Sequence, residues 1–251
     1  MDKNLLRKLL YSFLAEDIGR GDLTSESIFH PEEGGRAVLV ARESFTVAGA
    51  AVVAAAVFKT QNPVIETASA AVDGSLVKRG DILLGVCGPV IDLLKAERVA
   101  LNLLQRISGI ATLTAAFVDR VKGYPVRICD TRKTTPGLRM LEKYAVTAGG
   151  GSNHRYNLTD GILIKDNHIA ACGSIKEAVQ KIRKSVPHTL RIEVETDTLV
   201  QVRECLDCGV DIIMLDNMSA EMMAEAVAII DGNALVEASG GITLDTVEKI
   251  A

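Results

Sequence analysis

The groups of this chain best suited to chemistry are concentrated between Asp130 and His168. The stretch reads DTRKTTPGLRMLEKYAVTAGGGSNHRYNLTDGILIKDNH and holds Arg132, Lys133, Arg139, Lys143, His154, Arg155 and Lys165 around a Gly149-Gly150-Gly151 run. The whole chain is formally negative, at −4, so this local wealth of cations does not follow from a basic composition. Cations facing one pocket repel one another and lose their hydration. An anionic ligand with several charges offsets both costs. The alternative is a solvated basic face. Against it, these cations flank glycines and apolar runs such as Gly161-Ile162-Leu163-Ile164 rather than lining a polar helix stripe.

The elements that must position these groups follow from the pattern of the second half. Short β-rich runs, VRICD (126–130), GILIKD (161–166), LRIEVE (190–195), VDIIMLD (210–216) and ALVEAS (234–239), alternate with helices expected near 174–185, 197–208 and 219–230 and from 243. Repeated strand-then-helix predicts a parallel sheet buried on both faces. The runs end in Asp130 and Arg132, Lys165 and Asp166, Glu193 and Glu195, Asp216 and Asn217, and Glu237 and Ser239. In an α/β barrel these ends converge on one mouth. A doubly wound sheet also binds ligands at its strand ends, but it usually carries a Gly-rich loop, and no GxGxxG occurs. The pattern therefore predicts a barrel. Only five barrel strands are visible and the chain stops at Ala251 within an expected helix, so either the barrel is incomplete by design or the sequence lacks its natural C-terminus.

At that mouth stand Arg132, Lys133, His154, Arg155 and Lys165 with the carboxylates Glu195 and Asp216. Arginine forks match carboxylates or phosphates bidentately. Carboxylates beside them suit Mg²⁺ or a developing positive charge. Ser239-Gly240-Gly241, expected at the start of a helix, offers N–H groups to a phosphate. Together they predict an enzyme that joins a small anionic acid to a phosphorylated partner through a cationic transition state, as in glycosyl transfer from a sugar phosphate. Two other uses are open. Lys165 could form a Schiff base, although Asp166 and the nearby carboxylates oppose the depressed pKa this needs. His154 and His168 could ligate a metal, but a histidine beside an arginine in a Gly-rich loop is more often an anion donor or a structural group.

The first half predicts a small α/β domain: a helix over 2–18 with Leu5, Leu6, Leu9, Leu10 and Phe13 on one face, strand over 35–47, helix over 49–59, and short strands over 63–90 turning at Asp73-Gly74 and Arg79-Gly80-Asp81. The last segment is similar to the sandwich of lipoyl carriers, without their Met-Lys tip. A long helix over 91–121 follows, with a kink or break expected at Ser108-Gly109 and a domain boundary near residue 100. The expected domains are 1–100 and 101–251. Aromatics are 4% and Trp is absent, which argues against stacking on nucleic acid. No apolar run is read as reaching a membrane span of about 18 residues, and the start lacks the pattern of a signal peptide. Five scattered cysteines suit a reducing cytoplasm. Cys205-x-x-Cys208 lacks two further ligands nearby for zinc. Arg20-Gly21-Asp22 reads as a turn.

The segments EDIGRGDLTS (16–25), ERVALNLLQRISGIAT (97–112), DTRKTTPGLRMLEKYAV (130–146), GGGSNHRYNLTDGILIKDNHI (149–169), IEVET (192–196), IIMLDN (212–217) and EASGGI (237–242) together resemble the carboxylating nicotinate-nucleotide pyrophosphorylases, also called quinolinate phosphoribosyltransferases. The resemblance spans nearly the whole chain in order. It implies a type II phosphoribosyltransferase fold: an N-terminal α/β sandwich domain, then an incomplete parallel α/β barrel, assembled as a homodimer. It implies that quinolinate and phosphoribosyl pyrophosphate react with Mg²⁺ to give nicotinate mononucleotide, pyrophosphate and CO₂ in NAD synthesis. Residues matching Arg132, His154, Arg155 and Lys165 grip the quinolinate carboxylates, and the match of Arg98 reaches in from the partner subunit. Lys133 matches the lysine on the donor. Glu195 and Asp216 match the acids near its ribose and metal. Ser239, Gly240 and Gly241 fall in the segment that helps bind the 5-phosphate. The family also continues into a further strand and a loop resembling SVGALTH. Alternatives are a molybdenum-locus relative, which the NHR and ILIKDNH segments argue against, a nicotinate phosphoribosyltransferase, and a quinolinate-binding subunit without turnover.

Overall fold

The computed structural model describes all 251 residues, the side chain of Ser69 excepted. The chain forms two compact units: Met1–Asp119 with Arg127–Asn153, and Arg120–Val126 with His154–Ala251.

In the first unit, α1 (Lys3–Ile18) begins at Asp2, whose carboxylate accepts the Asn4 and Leu5 N–H groups, and buries Leu6, Leu10 and Leu14. The Arg20-Gly21-Asp22 turn ends in the cap of α2 (Leu23–Ile28). Strands β1 (Gly34–Val40), β3 (Glu66–Ala70) and β5 (Ile82–Pro89) form an antiparallel sheet in the order β1-β5-β3, while β2 (Phe45–Thr46) pairs with β4 (Leu76–Val77). A π-helical turn at Ala50–Ala54 leads into α3 (Ala55–Gln61).

Helix α4 (Val90–Arg120) is continuous through Ser108-Gly109, where a kink or a break was expected, so no break occurs there. Ser108 and Thr112, one turn apart, explain those residue types. Ser108 Oγ accepts the Ala48 N–H at 3.1 Å and Thr112 Oγ1 accepts the Thr46 N–H at 3.0 Å, so the helix satisfies the backbone of the segment at β2. By length and composition α4 could cross a membrane, contrary to the expectation that no run qualifies. Its stripe of Leu93, Ala96, Val99, Ala100, Leu103, Leu104, Ile107 and Ala111 belongs to the core of this unit, which makes it a core helix. Residue 100 falls within it, and the helix stays with the first unit as far as Asp119. Helix α5 (Arg139–Ala148) adds Leu141 and Ala145 to the same core.

The expected strand at 126–130 is a single parallel bridge, Cys129 to Ser152. Its partner is the glycine-rich 149–153 segment, which pairs only at Ser152 and otherwise packs. A Cβ on Gly149 would lie 2.4 Å from the Ala111 carbonyl oxygen, and one on Gly151 would lie 2.8 Å from Val146 Cγ1. Close approach to α4 and α5 is what this glycine run provides.

The second unit alternates β6 (Ile162–Ile164), α6 (Asp166–Cys172), α7 (Ile175–Ser185), β7 (Ile192–Thr196), α8 (Leu199–Cys208), β8 (Ile212–Asp216), α9 (Ala220–Ile230), β9 (Leu235–Ser239) and the short α10 (Val247–Ile250). The four strands are parallel and lie in chain order, β6-β7-β8-β9, the sequence of neighbours in a barrel wall, with no reversal of order as in a doubly wound sheet. Ile164, Ile192, Val194, Ile213 and Leu215 pack with Ile175, Val179, Val202, Met223 and Ile230 from the helices. Each such side chain contributes about 1.5–3 kcal/mol when fully buried. Cys205 lies in this core, and burial pushes its thiol up to about 12. Side chains alternate along a strand, so the other face carries Leu163, Glu193, Ile212 and Leu235 in register, then Glu195, Met214 and Glu237. The chemistry of this unit sits on that face.

Candidate active site

The C-terminal ends of the four strands present Lys165, Glu195, Asp216 and Ser239. Lys165 follows β6, and its Nζ donates to Glu195 Oε2 at 2.8 Å. Asp216 closes β8 in register with Ser239 on β9, and its Oδ2 accepts from Asn217 Nδ2 at 2.7 Å. Asn217 has a positive φ of 54°, a conformation asparagine tolerates better than most residues, and its N–H donates to the Ser239 carbonyl at 2.9 Å. Gly240, at φ +87°, lies so close to this turn that a Cβ would meet Asn217 Oδ1 at 2.2 Å and Asn217 N at 2.8 Å. These glycines do not open a helix as expected: α10 starts only at Val247. The reason is local, since both glycines have positive φ, which a helix excludes.

One layer deeper, His154 stands against two glutamates. Its Nε2 is 3.0 Å from Glu193 Oε2 and 3.5 Å from Glu237 Oε2, and its Nδ1 accepts the Arg155 N–H at 2.8 Å. Glu193, then Glu237, draw the imidazole up to about 10 against the effect of burial. In the neutral ring, the Arg155 N–H directed at Nδ1 leaves the proton on Nε2, facing the glutamates. The three donor atoms lie within 4.8 Å of one another, and a metal bound there would displace the Nε2 proton. Glu193 is 4% exposed, and among the described residues its Oε1 is one of two buried side-chain polar atoms without a partner, Arg132 Nε being the other. His168 is structural: its Nδ1 accepts the Lys165 N–H at the start of α6. Arg155 Nη1 donates to the Gly161 carbonyl at 3.0 Å.

The first unit holds the remaining cations, and several are neutralised within it. Lys143, 2% exposed, pairs with Asp130, 7% exposed. Asn153, oriented to suit its neighbours, donates to Asp130 Oδ2 at 2.6 Å. Glu142 accepts from Arg106 Nε at 2.9 Å and from the Thr135 N–H at 3.0 Å, and Arg139 Nε donates to Thr134 Oγ1 at 3.0 Å. These contacts shape the 130–138 loop that carries Arg132 and the exposed Lys133. Arg98 is exposed on α4.

The expected cations belong to both units. His154 and Lys165 meet carboxylates in the second unit, Lys143 and Arg139 are structural in the first, and Arg132 keeps a buried Nε without a partner. Glu193 and Glu237 were read only as polar strand ends. The signal for Glu193 was its spacing of two from Glu195 in IEVET, which places both on one face of β7.

Comparison with known proteins agrees with this fold. Residues 22–108 match the family model described as quinolinate phosphoribosyl transferase, N-terminal domain, and residues 110–251 match that of the C-terminal domain. A Bacillus subtilis protein named as a probable nicotinate-nucleotide pyrophosphorylase (carboxylating) is 49% identical over 241 residues, 96% of this chain and 83% of its own length. A Synechocystis protein of the same name is 46% identical over 245 residues, 96% of this chain and 82% of its own length. The crystal structure of NadC from Streptococcus pyogenes superposes with a TM-score of 0.95 at 40% identity, covering 99% of this chain and 88% of that one. With both domains matched in order and the shared architecture carried by closely similar sequence, the chain belongs to the quinolinate phosphoribosyltransferase family.

Proposed function

We propose that this protein transfers the phosphoribosyl group of phosphoribosyl pyrophosphate to quinolinate with decarboxylation, giving nicotinate mononucleotide, pyrophosphate and CO₂. The observation that carries the reading is the match of both family domains across residues 22–251. The strand ends support it chemically. As pyrophosphate departs, the ribose carbon gains positive charge, and Glu195 and Asp216, on neighbouring strands, are carboxylates suited to stabilise it. The Lys165 ammonium fixes Glu195 at 2.8 Å. The pyridine nitrogen of quinolinate attacks that carbon and becomes positive, and it then stabilises the carbanion left when the adjacent carboxylate is lost as CO₂. Arg132, His154, Arg155 and Lys165 are proposed to hold the quinolinate carboxylates, which lowers the entropic barrier to attack. Lys133 is proposed to contact the donor, and Ser239, Gly240 and Gly241 its 5-phosphate.

Glu195 and Asp216 fit Mg²⁺: they are hard oxygen donors, and Mg²⁺ in such sites takes one or two carboxylates together with substrate phosphates. Mg²⁺ would neutralise charge on the leaving pyrophosphate. We also propose a homodimer in which Arg98 serves the partner's site, and a cytoplasmic location that suits five free cysteines. The test is turnover with quinolinate, phosphoribosyl pyrophosphate and Mg²⁺ beside nicotinate. Product from quinolinate alone supports the reading, and Arg132→Ala should then lower kcat/KM for quinolinate by about 30-fold or more, the effect of losing a desolvated charge contact. Turnover of nicotinate in preference would overturn it.

A further inference from the structure

We infer that Arg106 on α4 and Glu142 on α5 are positioning residues, which clamp Thr135 from two sides and thereby set the placement of Arg132. This rests on the function proposed above, in which Arg132 holds a quinolinate carboxylate.

Residues 131–138 run as an irregular segment of bends and turns between Asp130 and α5. Such a segment keeps its shape only through the partners that its backbone and side chains find. Thr135 is held twice. Its N–H donates to Glu142 Oε2 at 3.0 Å, and its Oγ1 accepts from Arg106 Nη2. The two clamping side chains are themselves joined, Arg106 Nε donating to Glu142 Oε1 at 2.9 Å. Both rise from helices whose Leu103, Leu104, Ile107 and Leu141 belong to the core, so the clamp is anchored in the packed part of the unit. Arg139 tethers Thr134 Oγ1 at 3.0 Å, but Arg139 is itself the first residue of α5. The bond from Arg106 ties the segment to α4 as well. Beyond Thr135 the chain turns, with the Leu138 N–H donating to the Thr135 carbonyl at 3.0 Å. A pair that served stability alone would need only each other, whereas here both members also reach Thr135. Arg132 gives this a functional sense. Its Nε is buried and has no partner among the described residues, so the guanidinium depends on its backbone for placement. A shift of about 1 Å in a group that positions substrate can cost on the order of 100-fold in rate.

A residue that acts through Arg132 loses its effect once Arg132 is gone, and a residue that only supports the fold does not. The experiment measures kcat/KM for quinolinate, at saturating donor, in Arg106→Gln, Arg132→Ala and the double variant of the full chain. Arg106→Gln should lower kcat/KM about tenfold in the parent and by less than about threefold in the Arg132→Ala background. Thr135→Val, which keeps the shape and loses the hydroxyl, should lower it about threefold or more, with Thr135→Ser close to the parent. Losses that multiply in the double variant, a parent-like Arg106→Gln, or a Thr135→Val no worse than Thr135→Ser would each overturn the inference. Thr135 is exposed, so its two variants decide the question if Arg106→Gln fails to fold. If the parent protein turns over no quinolinate, the proposed function fails, and hydrogen exchange at the Thr135 amide decides the clamp. Exchange about tenfold faster in Arg106→Gln would show that the two side chains hold Thr135 together, and unchanged exchange would overturn the inference.

Discussion

Replacing Lys143 by methionine separates two accounts of the cation-rich stretch by the sign of the effect. If Lys143 faced an anion pocket, removing it would relieve repulsion among cations and the empty protein would gain stability. The structure instead pairs it with Asp130, with 2% and 7% of the two side chains exposed. Methionine retains most of the aliphatic stem, so little cavity forms and the main loss is the partner of a buried carboxylate. Breaking such a pair from one side costs about 3–5 kcal/mol. Asn153, donating to Asp130 Oδ2 at 2.6 Å, compensates only in part because its amide carries no net charge. With a urea m-value of about 2 kcal/mol/M, the midpoint should fall by roughly 1.5–2.5 M, followed by far-UV circular dichroism. Adding Asp130→Asn should recover much of the loss, since neither charge is then stranded. A single variant within about 1 kcal/mol of the parent, far below the cost of a broken buried pair, or a double variant no better than the single, would refute the reasoning.

Two further outcomes follow from local geometry. Glu142 is held below its ordinary value of 4.5: burial would raise it, but the hydrogen bonds from Arg106 and Thr135 outweigh that effect. Its contribution to stability is therefore present above about pH 4.5 and is lost as pH falls through the lower folded value, so Glu142→Gln should flatten the acid limb of stability against pH. An unchanged acid limb would contradict this. Gly240→Ala must place a Cβ at φ +87° against Asn217 N, 2.8 Å away. It should cost at least about 1–2 kcal/mol from the backbone conformation alone, and an unaltered urea midpoint would show that the β8 and β9 ends are not so tightly joined.

The parallel sheet of the second unit was legible because each strand is apolar on the helix side and is followed by a helix of ordinary period. The 126–130 segment has the same composition as those strands, but its neighbour is a glycine-rich segment packed on α4 and α5, which local pattern does not disclose. Ser108-Gly109 suggested a kink because the hydroxyl's partner, the Ala48 backbone, lies sixty residues away in sequence. Gly240-Gly241 was read at a helix start, but both glycines have positive φ and Gly240 packs against Asn217, and the helix begins only at Val247. Charge counting found the cations but not their partners: Asp130 and Glu142 lie in the same stretch and take up Lys143 and Arg106. Glu195 and Asp216 were legible as strand ends. The place of Glu193 beside His154 was not, because residue 154 precedes the first strand of the sheet and nothing in its own spacing ties it to β7.

The central claim is tested most directly with quinolinate carrying ¹³C in the carboxylate next to the ring nitrogen, incubated with the protein, phosphoribosyl pyrophosphate and Mg²⁺. Labelled CO₂ released in equal amount with unlabelled nicotinate mononucleotide is the predicted result. A nucleotide product that retains the label, or CO₂ formed without the donor, would contradict it.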